Sequence, residues 1–231
     1  VFAMAAIAIV GGTMAYFTDS DAKDNVFTTG KVDITLGENF EQGSKLLPAT
    51  GSAQAGTLKN GIKKEVTVKN EEDSEEAYVR VHIAIPSILD DGDSTFDAGN
   101  NVLHFNFSPD SVGDGLWNWS KSKGKPYTGD WNYYEADIDG VTYNVYVVTY
   151  ESALKNGETT LKNAMDQVYL DSKVTNEDIK KIKDALPNGI QIKVIAEGVQ
   201  AAGFDNAYDA LNTAFGEPGK YTPDWTKVES K

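Results

Sequence analysis

Four carboxylates lie close together in one acidic stretch, "DDGDSTFD", which follows an apolar segment. They offer the hard oxygen ligands that Ca²⁺ prefers: Asp90, Asp91, Asp93 and Asp97. Their spacing does not match an EF-hand loop, and an acidic turn in contact with solvent is the ordinary alternative. We expect that no cofactor is bound, and this stretch makes calcium the one candidate.

The two histidines do not form a zinc-peptidase motif. Such enzymes usually carry two histidines one helical turn apart with a glutamate between them. His82 and His104 instead lie on separate predicted strands. The sequence also lacks a Gly-x-Ser-x-Gly elbow and a phosphate-binding loop. These observations favour a protein that is not an enzyme.

Aromatic side chains form a second candidate binding group. Trp117 and Trp119 lie in "LWNWS", and three more aromatic residues follow: Trp131, Tyr133 and Tyr134. Flat rings stack on sugar faces in carbohydrate-binding modules, but large aromatic side chains also fill cores and interfaces. Trp117 and Trp119 are therefore candidate sugar contacts, with a structural role as the alternative.

Arg80 is the sole arginine of the chain and lies in the apolar segment "AYVRVHIAIP". A guanidinium group forms planar, bidentate pairs with carboxylates. We therefore expect Arg80 to form a structural ion pair with an Asp or Glu of an adjacent strand.

Composition limits the partners of the chain. Its 231 residues, of which 40% are hydrophobic, are enough for a sizeable core. The formal net charge of -14 argues against binding to nucleic acid or to anionic lipid headgroups, since these surfaces repel it. Cysteine is absent, so disulfides contribute nothing. We expect no membrane span in the mature chain.

Strand-like segments dominate the chain, among them "VDITL", "IKKEVTVKN", "AYVRVHIAIP" and "VTYNVYVVTY". The Asp-Gly pair of "DIDG" predicts a hairpin. Two segments predict helices: "TNEDIKKIKDAL" with Thr175 as N-cap and "DNAYDALNTAF" with Asp205 as N-cap. The pattern indicates an all-β protein with minor α, a two-sheet β-sandwich with helices in the connections. We place the sandwich at residues 31–217. Within it, an insertion at about 86–130 extends away from the sandwich. Residues 218–231 form a carboxyl-terminal tail.

The amino terminus resembles a secretory signal. The apolar run at residues 1–10 is shorter than the roughly 20 residues that span a bilayer. Thr13 and Ala15 are the small residues that typically precede a cleavage site, so we predict a signal remnant at 1–15 and a mature chain that begins at Tyr16. An apolar core helix or strand is the alternative for this run.

Several segments together resemble the TasA and camelysin (CalY) family. The stretch "GGTMAYFTDSDAKDNVFTTGKVDITL" is similar to the family's glycine pair, cleavage site, aromatic-Thr-Asp element and first strand. "VTVKNEEDSEEAYVRVHI" is similar to its next two strands, and "WNYY", "NGETT" and "IKVIAEGVQAAGFDNAYDALNTAFGE" are similar to blocks of its longer members. The resemblance touches most of the chain in order, and residues 86–130 match least.

The resemblance implies export through a SipW-type signal peptidase, a jelly-roll-like sandwich, and assembly into extracellular fibres of a biofilm matrix. In fibre-forming relatives the freed amino-terminal segment adds as a strand to the next subunit, because an open sheet edge offers unpaired amide and carbonyl groups. Here the donor segment is 16–30, with apolar anchors at Tyr16, Phe17, Val26 and Phe27. The alternative is an ordinary first strand that packs on its own domain.

The expected partners are further copies of the chain, a related secreted matrix subunit, and the signal peptidase during export. Two other functions stay open: a monomeric carbohydrate-binding module at the cell surface, and a metal-dependent peptidase of camelysin type. The sequence therefore predicts a secreted protein at the cell surface or in the matrix.

Overall fold

The computed structural model of the protein describes residues 6–9, 31–40, 44–52, 55–90, 102–105, 116–121 and 132–227. Within these residues the chain forms ten β-strands and two α-helices. The strands are β1 (Ala6–Ile9), β2 (Ile34–Phe40), β3 (Ile62–Asn70), β4 (Ala77–Pro86), β5 (Leu103–Phe105), β6 (Trp117–Asn118), β7 (Tyr133–Ile138), β8 (Val141–Tyr150), β9 (Met165–Leu170) and β10 (Lys193–Gln200). The helices are α1 (Asn176–Ala185) and α2 (Ala207–Phe215). The predicted class, all-β with minor α, is confirmed.

The strands form two antiparallel sheets. The first sheet has the order β1-β10-β4-β8-β6, with β7 also paired to β8, and the second has the order β2-β3-β9-β5. The first strand of the chain therefore pairs with the last one, across nearly the whole sequence. This is the jelly-roll-like, two-sheet arrangement that was expected.

Alternation along β4 shows how the sequence builds the sandwich. Successive side chains of a strand point to opposite faces, and the residues of β4 at odd positions join the main core between the sheets: Val79, Val81, Ile83 and Ile85. The residues at even positions face outward, and Ala84 packs there in a second apolar cluster. Both faces of β4 are buried, so its whole run is apolar apart from Arg80 and His82.

The outer face of the first sheet is covered by α2 and by the segment that follows it. Ala207, Ala210 and Leu211 of α2 pack against Val199 of β10. Trp225, in a short 3-10 helix at Trp225–Lys227, packs in the cluster that contains Ala84. The predicted tail at 218–231 is thus, as far as Lys227, part of the folded domain.

The predicted hairpin is present, and one predicted helix cap is wrong. Asp139 and Gly140 both have positive φ in the two-residue turn between β7 and β8, as such turns require. Thr175 caps α1 and forms a capping box with Asp178. The N-cap of α2 is Asn206, whose side chain accepts from the Asp209 amide, and not Asp205.

The described parts of the predicted insertion do not leave the sandwich. β5 pairs with β9 in the second sheet, and β6 pairs with β8 in the first. These strands have three and two residues, too short to produce a readable alternation. The interpretation of residues 86–130 as an excursion was therefore wrong for these strands.

Candidate functional site

The edge of the first sheet at β10 is the most distinctive feature of the molecule. β1 lies along it in antiparallel register, with Ala6 opposite Val199 and Ile9 opposite Ala196. β4 pairs with the other side of β10 along its full length, from Lys193 to Gln200. Residues 6–9 of the predicted signal remnant are thus an edge strand in this structure, as in the alternative given for the apolar run above.

Gly198 lets the two sheets approach each other closely at this edge. It lies on the core side of β10, and a Cβ atom at this position would meet the Ile34 side chain at 3.0 Å. Ile34 is a buried residue of β2 in the opposite sheet. A residue larger than glycine would therefore require the Ile34 side chain to shift by a few tenths of an ångström.

A buried cluster of polar side chains lies on the outer face of the same strand, around Glu197. Arg80 Nε donates to Glu197 Oε2 at 2.5 Å, and His82 Nε2 lies 3.0 Å from the same oxygen. The other ring nitrogen, His82 Nδ1, lies 3.2 Å from the Tyr134 hydroxyl. Arg80, His82 and Glu197 are almost completely shielded from solvent, at 1%, 0% and 0% exposure.

Arg80 also connects this cluster to α2. Its Nη1 donates to Asn212 Oδ1 at 3.0 Å, and its Nη2 donates to the Gly216 carbonyl at 3.2 Å. The guanidinium carbon lies 5.6 Å from the centre of the Phe215 ring, which adds a cation–π contact. The sole arginine therefore joins β4, β10 and the end of α2.

The charge states of this cluster follow from burial and from the fixed charge of Arg80. Burial by itself would raise the pKa of the Glu197 carboxyl, but His82 and Arg80 together lower that pKa below its ordinary value. Burial lowers the pKa of His82, although Glu197 opposes the shift. Burial and the nearby Glu197 raise the pKa of Tyr221 to about 12. At neutral pH we infer an ionised Glu197 next to a neutral His82.

A glutamate that orients a histidine is also the basis of acid–base catalysis, but this pair does not reach solvent. A general base must lie within hydrogen-bond reach of a bound substrate. The α2 helix and residues 216–225 cover the pair, and both side chains are fully buried. The arrangement therefore stabilises the sheet and its cover.

His104 is held in a separate pair. Its Nε2 lies 2.9 Å from Asp171 Oδ2, and its ring packs on Tyr169 at 5.2 Å between centroids. His82 is on the first sheet and His104 on the second, so the structure does not bring them together. Among the described residues, no three His, Asp or Glu side chains are grouped so that they could hold a metal ion.

Only one of the four candidate calcium ligands is within the described residues. Asp90 is buried, and its Oδ2 accepts hydrogen bonds from the Tyr146 hydroxyl at 2.7 Å and from Asn144 Nδ2 at 3.1 Å. This oxygen is therefore engaged in joining β8 to the segment that follows β4. Asp91, Asp93 and Asp97 lie outside the described residues, so the calcium site stays a prediction.

The candidate sugar contacts are core residues, which corrects the prediction for them. Trp117 is 1% exposed, its ring lies 5.0 Å from that of Tyr150, and its indole N–H donates to the Lys162 carbonyl at 2.7 Å. Trp119 is 3% exposed and packs 5.9 Å from the Tyr146 ring. A sugar cannot stack on either ring without unpacking the sandwich.

The predicted cleavage and donor residues lie outside the described part of the chain. They are Thr13, Ala15, Tyr16, Phe17, Val26 and Phe27. The cleavage site and the donor strand therefore stay predictions.

Comparison with known families adds one finding. The model of the family described as camelysin metallo-endopeptidase matches residues 1–42. The amino-terminal region is camelysin-like. This confirms the suspected family resemblance for the segment that runs from the apolar start to the end of β2, and for no more than that. No curated protein matches the chain significantly. Within the described residues, neither helix has the length and apolar content needed to cross a bilayer.

Glu197 is the residue that sequence reasoning missed. Its segment "IQIKVIAEGVQ" has the alternation typical of a strand, and Glu197 is the one acid in it. An acid isolated in an apolar strand matches the isolated arginine in "AYVRVHIAIP", because buried charges are normally paired. That signal could have identified the pair, although not the register that makes Glu197 and Arg80 neighbours.

Proposed function

We propose that the mature protein is a secreted, non-catalytic structural subunit that assembles by donor-strand exchange into extracellular fibres of a biofilm matrix. The observation that carries the proposal is the position of β1. Ala6–Ile9 precedes the predicted cut after Ala15, yet it forms the edge strand of the first sheet. Cleavage would remove a strand that the sheet uses, and a strand from another molecule can replace it.

The camelysin-like amino terminus supports this proposal, since the matched residues 1–42 include the predicted cleavage site and the whole donor segment. In the proposed assembly a SipW-type signal peptidase exposes Tyr16 during export. The donor segment then reaches a second copy of the chain or a related secreted matrix subunit. The apolar anchors of the donor are Tyr16, Phe17, Val26 and Phe27.

Light scattering tests the self-association directly. A chain that begins at Tyr16 is expected to form large species as its concentration rises, and a chain that begins at Thr28 is expected to stay monomeric. If the Tyr16 chain stays monomeric across concentration, salt and acid pH, the proposal is wrong.

A metal-dependent peptidase is the second candidate, and the description of the matching family favours it. Both histidines are held in separate buried pairs, which argues against a peptidase. Incubation of the purified chain with casein and added Zn²⁺ or Ca²⁺ decides the matter. We expect no cleavage, and metal-dependent cleavage that a chelator abolishes would replace the structural proposal with the enzymatic one.

A further inference from the structure

We propose that residues 217–227 form an acid-released clasp, which closes over the outer face of the first sheet while His82 is neutral and opens at Gly216 when His82 takes up a proton. The clasp begins directly after α2 and brings Trp225 onto the sheet. It lies far along the chain from the predicted cleavage site, so this inference goes beyond the proposed assembly and does not depend on it.

His82 lies beneath this clasp. On β4 it is opposite Ile195 of β10 and Val147 of β8, and both neighbours belong to the apolar cluster on the outer face of the sheet. Among the buried residues of that cluster, Trp225 is the one that does not come from a strand. The clasp therefore closes the cluster on its solvent side. When the clasp opens, water reaches the His82 ring.

A directed chain of hydrogen bonds fixes which nitrogen of His82 carries the hydrogen. Glu197 is ionised at neutral pH and can only accept hydrogen bonds. His82 Nε2, which lies 3.0 Å from Glu197 Oε2, is therefore the nitrogen that donates. In a neutral ring Nδ1 is then an acceptor, and the Tyr134 hydroxyl at 3.2 Å donates to it. The chain from Tyr134 through His82 to Glu197 is complete only while the ring is neutral.

Protonation of His82 reverses the polarity of its contact with Tyr134. Nδ1 becomes a donor, so the Tyr134 hydroxyl has to accept, and its own hydrogen loses the acceptor that it had. A buried donor that loses its acceptor is destabilising, and so is a charged ring under an apolar cover. Opening of the clasp admits water, which hydrates both groups.

The charged and titratable groups around His82 come from three strands and from the clasp. They are Arg80 on β4, Glu197 on β10, Tyr134 on β7 and Tyr221 in the clasp, whose hydroxyl faces Glu197. Burial and Arg80 disfavour the protonated ring, Glu197 favours it, and burial dominates, so the pKa of His82 is lowered. β8 and α2 contribute the uncharged Val147 and Asn212. Since the clasp contributes to the burial, opening and proton uptake favour each other.

Arg80 fixes the point at which the clasp can move. Its Nη2 donates to the Gly216 carbonyl at 3.2 Å, and arginine stays charged in acid, so the end of α2 keeps its place. Gly216 itself has a φ of 93°, a conformation that glycine adopts without strain. Beyond it, the Lys220 and Tyr221 amides donate to the Glu217 carbonyl, within the clasp. The clasp can therefore open as a unit without separating a pair of strands.

The reactivity of single engineered thiols tests the inference, because the natural chain has no cysteine. Ala84→Cys places a thiol in the apolar cluster beneath the clasp, and the matched control Ala196→Cys places one between the two sheets. Both alanines are buried, at 0% exposure. Labelling of the full, uncleaved chain by dithiodipyridine is measured at neutral pH and in mild acid. Each rate is taken relative to that of the exposed thiol in Lys181→Cys.

Acid should expose the thiol beneath the clasp and leave the other one buried. Opening returns His82 to its ordinary pKa of 6.5, so labelling of Ala84→Cys should be about 20-fold faster at about pH 5 than at about pH 7. Ala196→Cys should label equally slowly at both pH values. His82→Asn should abolish the acceleration of Ala84→Cys, and the control His104→Asn should leave it unchanged. Trp225→Ala should make Ala84→Cys react quickly at both pH values.

Four results would overturn the inference, and none of them depends on fibre formation. The first is a labelling rate of Ala84→Cys that acid does not change. The second is equal acceleration of Ala84→Cys and Ala196→Cys, which would mean that acid unfolds the whole sandwich. The third is acceleration that persists in His82→Asn. The fourth is slow labelling of Ala84→Cys at neutral pH in Trp225→Ala, a result that counts even if His82→Asn does not fold.

Nitrogen-15 NMR of the imidazole rings provides a second measurement that needs no substitution at His82. The chain has two histidines, so the spectrum of His104→Asn identifies the signals of His82. At neutral pH Nε2 of His82 is expected to carry the hydrogen and Nδ1 to carry none. A hydrogen on Nδ1 instead would contradict the direction of the chain from Tyr134 to Glu197, and with it the inference.

Discussion

At the scale of single residues, Arg80 and Glu197 show how a charge pair is kept inside an apolar sheet. Each lies between two apolar neighbours in its strand, and the two residues are opposite each other in adjacent strands of the first sheet. Burial of an ion pair is costly unless further hydrogen bonds satisfy the remaining atoms. Arg80 meets this condition through Asn212 and the Gly216 carbonyl. The pair thereby fixes where α2 ends on the sheet.

Arg80→Ala is expected to be strongly destabilising. It leaves the buried Glu197 carboxylate without its permanent counter-charge, so the free energy of unfolding should fall by about 3–5 kcal/mol. Denaturant unfolding measures the change. Lys181→Ala is the control, because its pair with Glu177 is exposed and such pairs contribute about 1 kcal/mol or less. Equal stability of the two variants would contradict the structural role of Arg80.

The stability of the fold should decline in acid because of His82. Burial lowers the pKa of His82 below its ordinary value of 6.5. Between the two pKa values the unfolded chain therefore binds a proton at His82 and the folded chain does not. The contribution of His82 to the free energy of unfolding is then fully present above about pH 6.5 and is lost as the pH decreases towards the folded pKa. The lowered pKa of Glu197 adds a second loss of stability that begins below about pH 4.5.

Denaturant midpoints measured between pH 7 and about pH 5 test the histidine contribution. The decline should be flatter in His82→Asn, whatever the stability of that variant at neutral pH. In the control His104→Asn the decline should remain, since His82 is intact. A steep decline in His82→Asn would show that another group is responsible.

At the scale of elements, local sequence predicted those parts whose determinants are close together in the chain. The Asp-Gly turn, the apolar strand β4 and the capping box of α1 depend on neighbours a few residues apart. The cap of α2 was misplaced by one residue, because Asp205 and Asn206 are both good caps. β5 and β6 were not predicted, because they have only three and two residues. Such short strands form through pairing with their neighbours in the sheet, which the local sequence does not show.

The corrected helix cap gives a direct prediction. Asn206→Ala removes the side chain that accepts from the Asp209 amide, and the protein should lose about 1 kcal/mol of stability. Asp205→Ala should change the stability much less, because its side chain does not cap the helix. Thermal or denaturant unfolding of the two variants measures the difference. A larger loss in Asp205→Ala would restore the cap inferred from sequence.

At the scale of the whole molecule, the strand order could not be obtained from sequence. Periodicity indicates which face of a strand is buried, but not which strand is its neighbour. The pairing of the first strand with the last depends on contacts between residues nearly the whole chain apart. The sequence predicts a cut within the amino-terminal region, and that cut stays a prediction. A strand before the expected cut was only the alternative for the apolar run, and its pairing with β10 was not predicted.

Electron microscopy of two purified forms tests the central claim most directly. One form begins at Tyr16, and the other begins at Thr28 and so lacks the donor residues 16–27. Both retain the described sandwich residues from 31 onward and differ only in the proposed donor. Our account predicts fibres from the first form and none from the second. Monomers from both forms, or fibres from both, would contradict assembly through the amino-terminal strand.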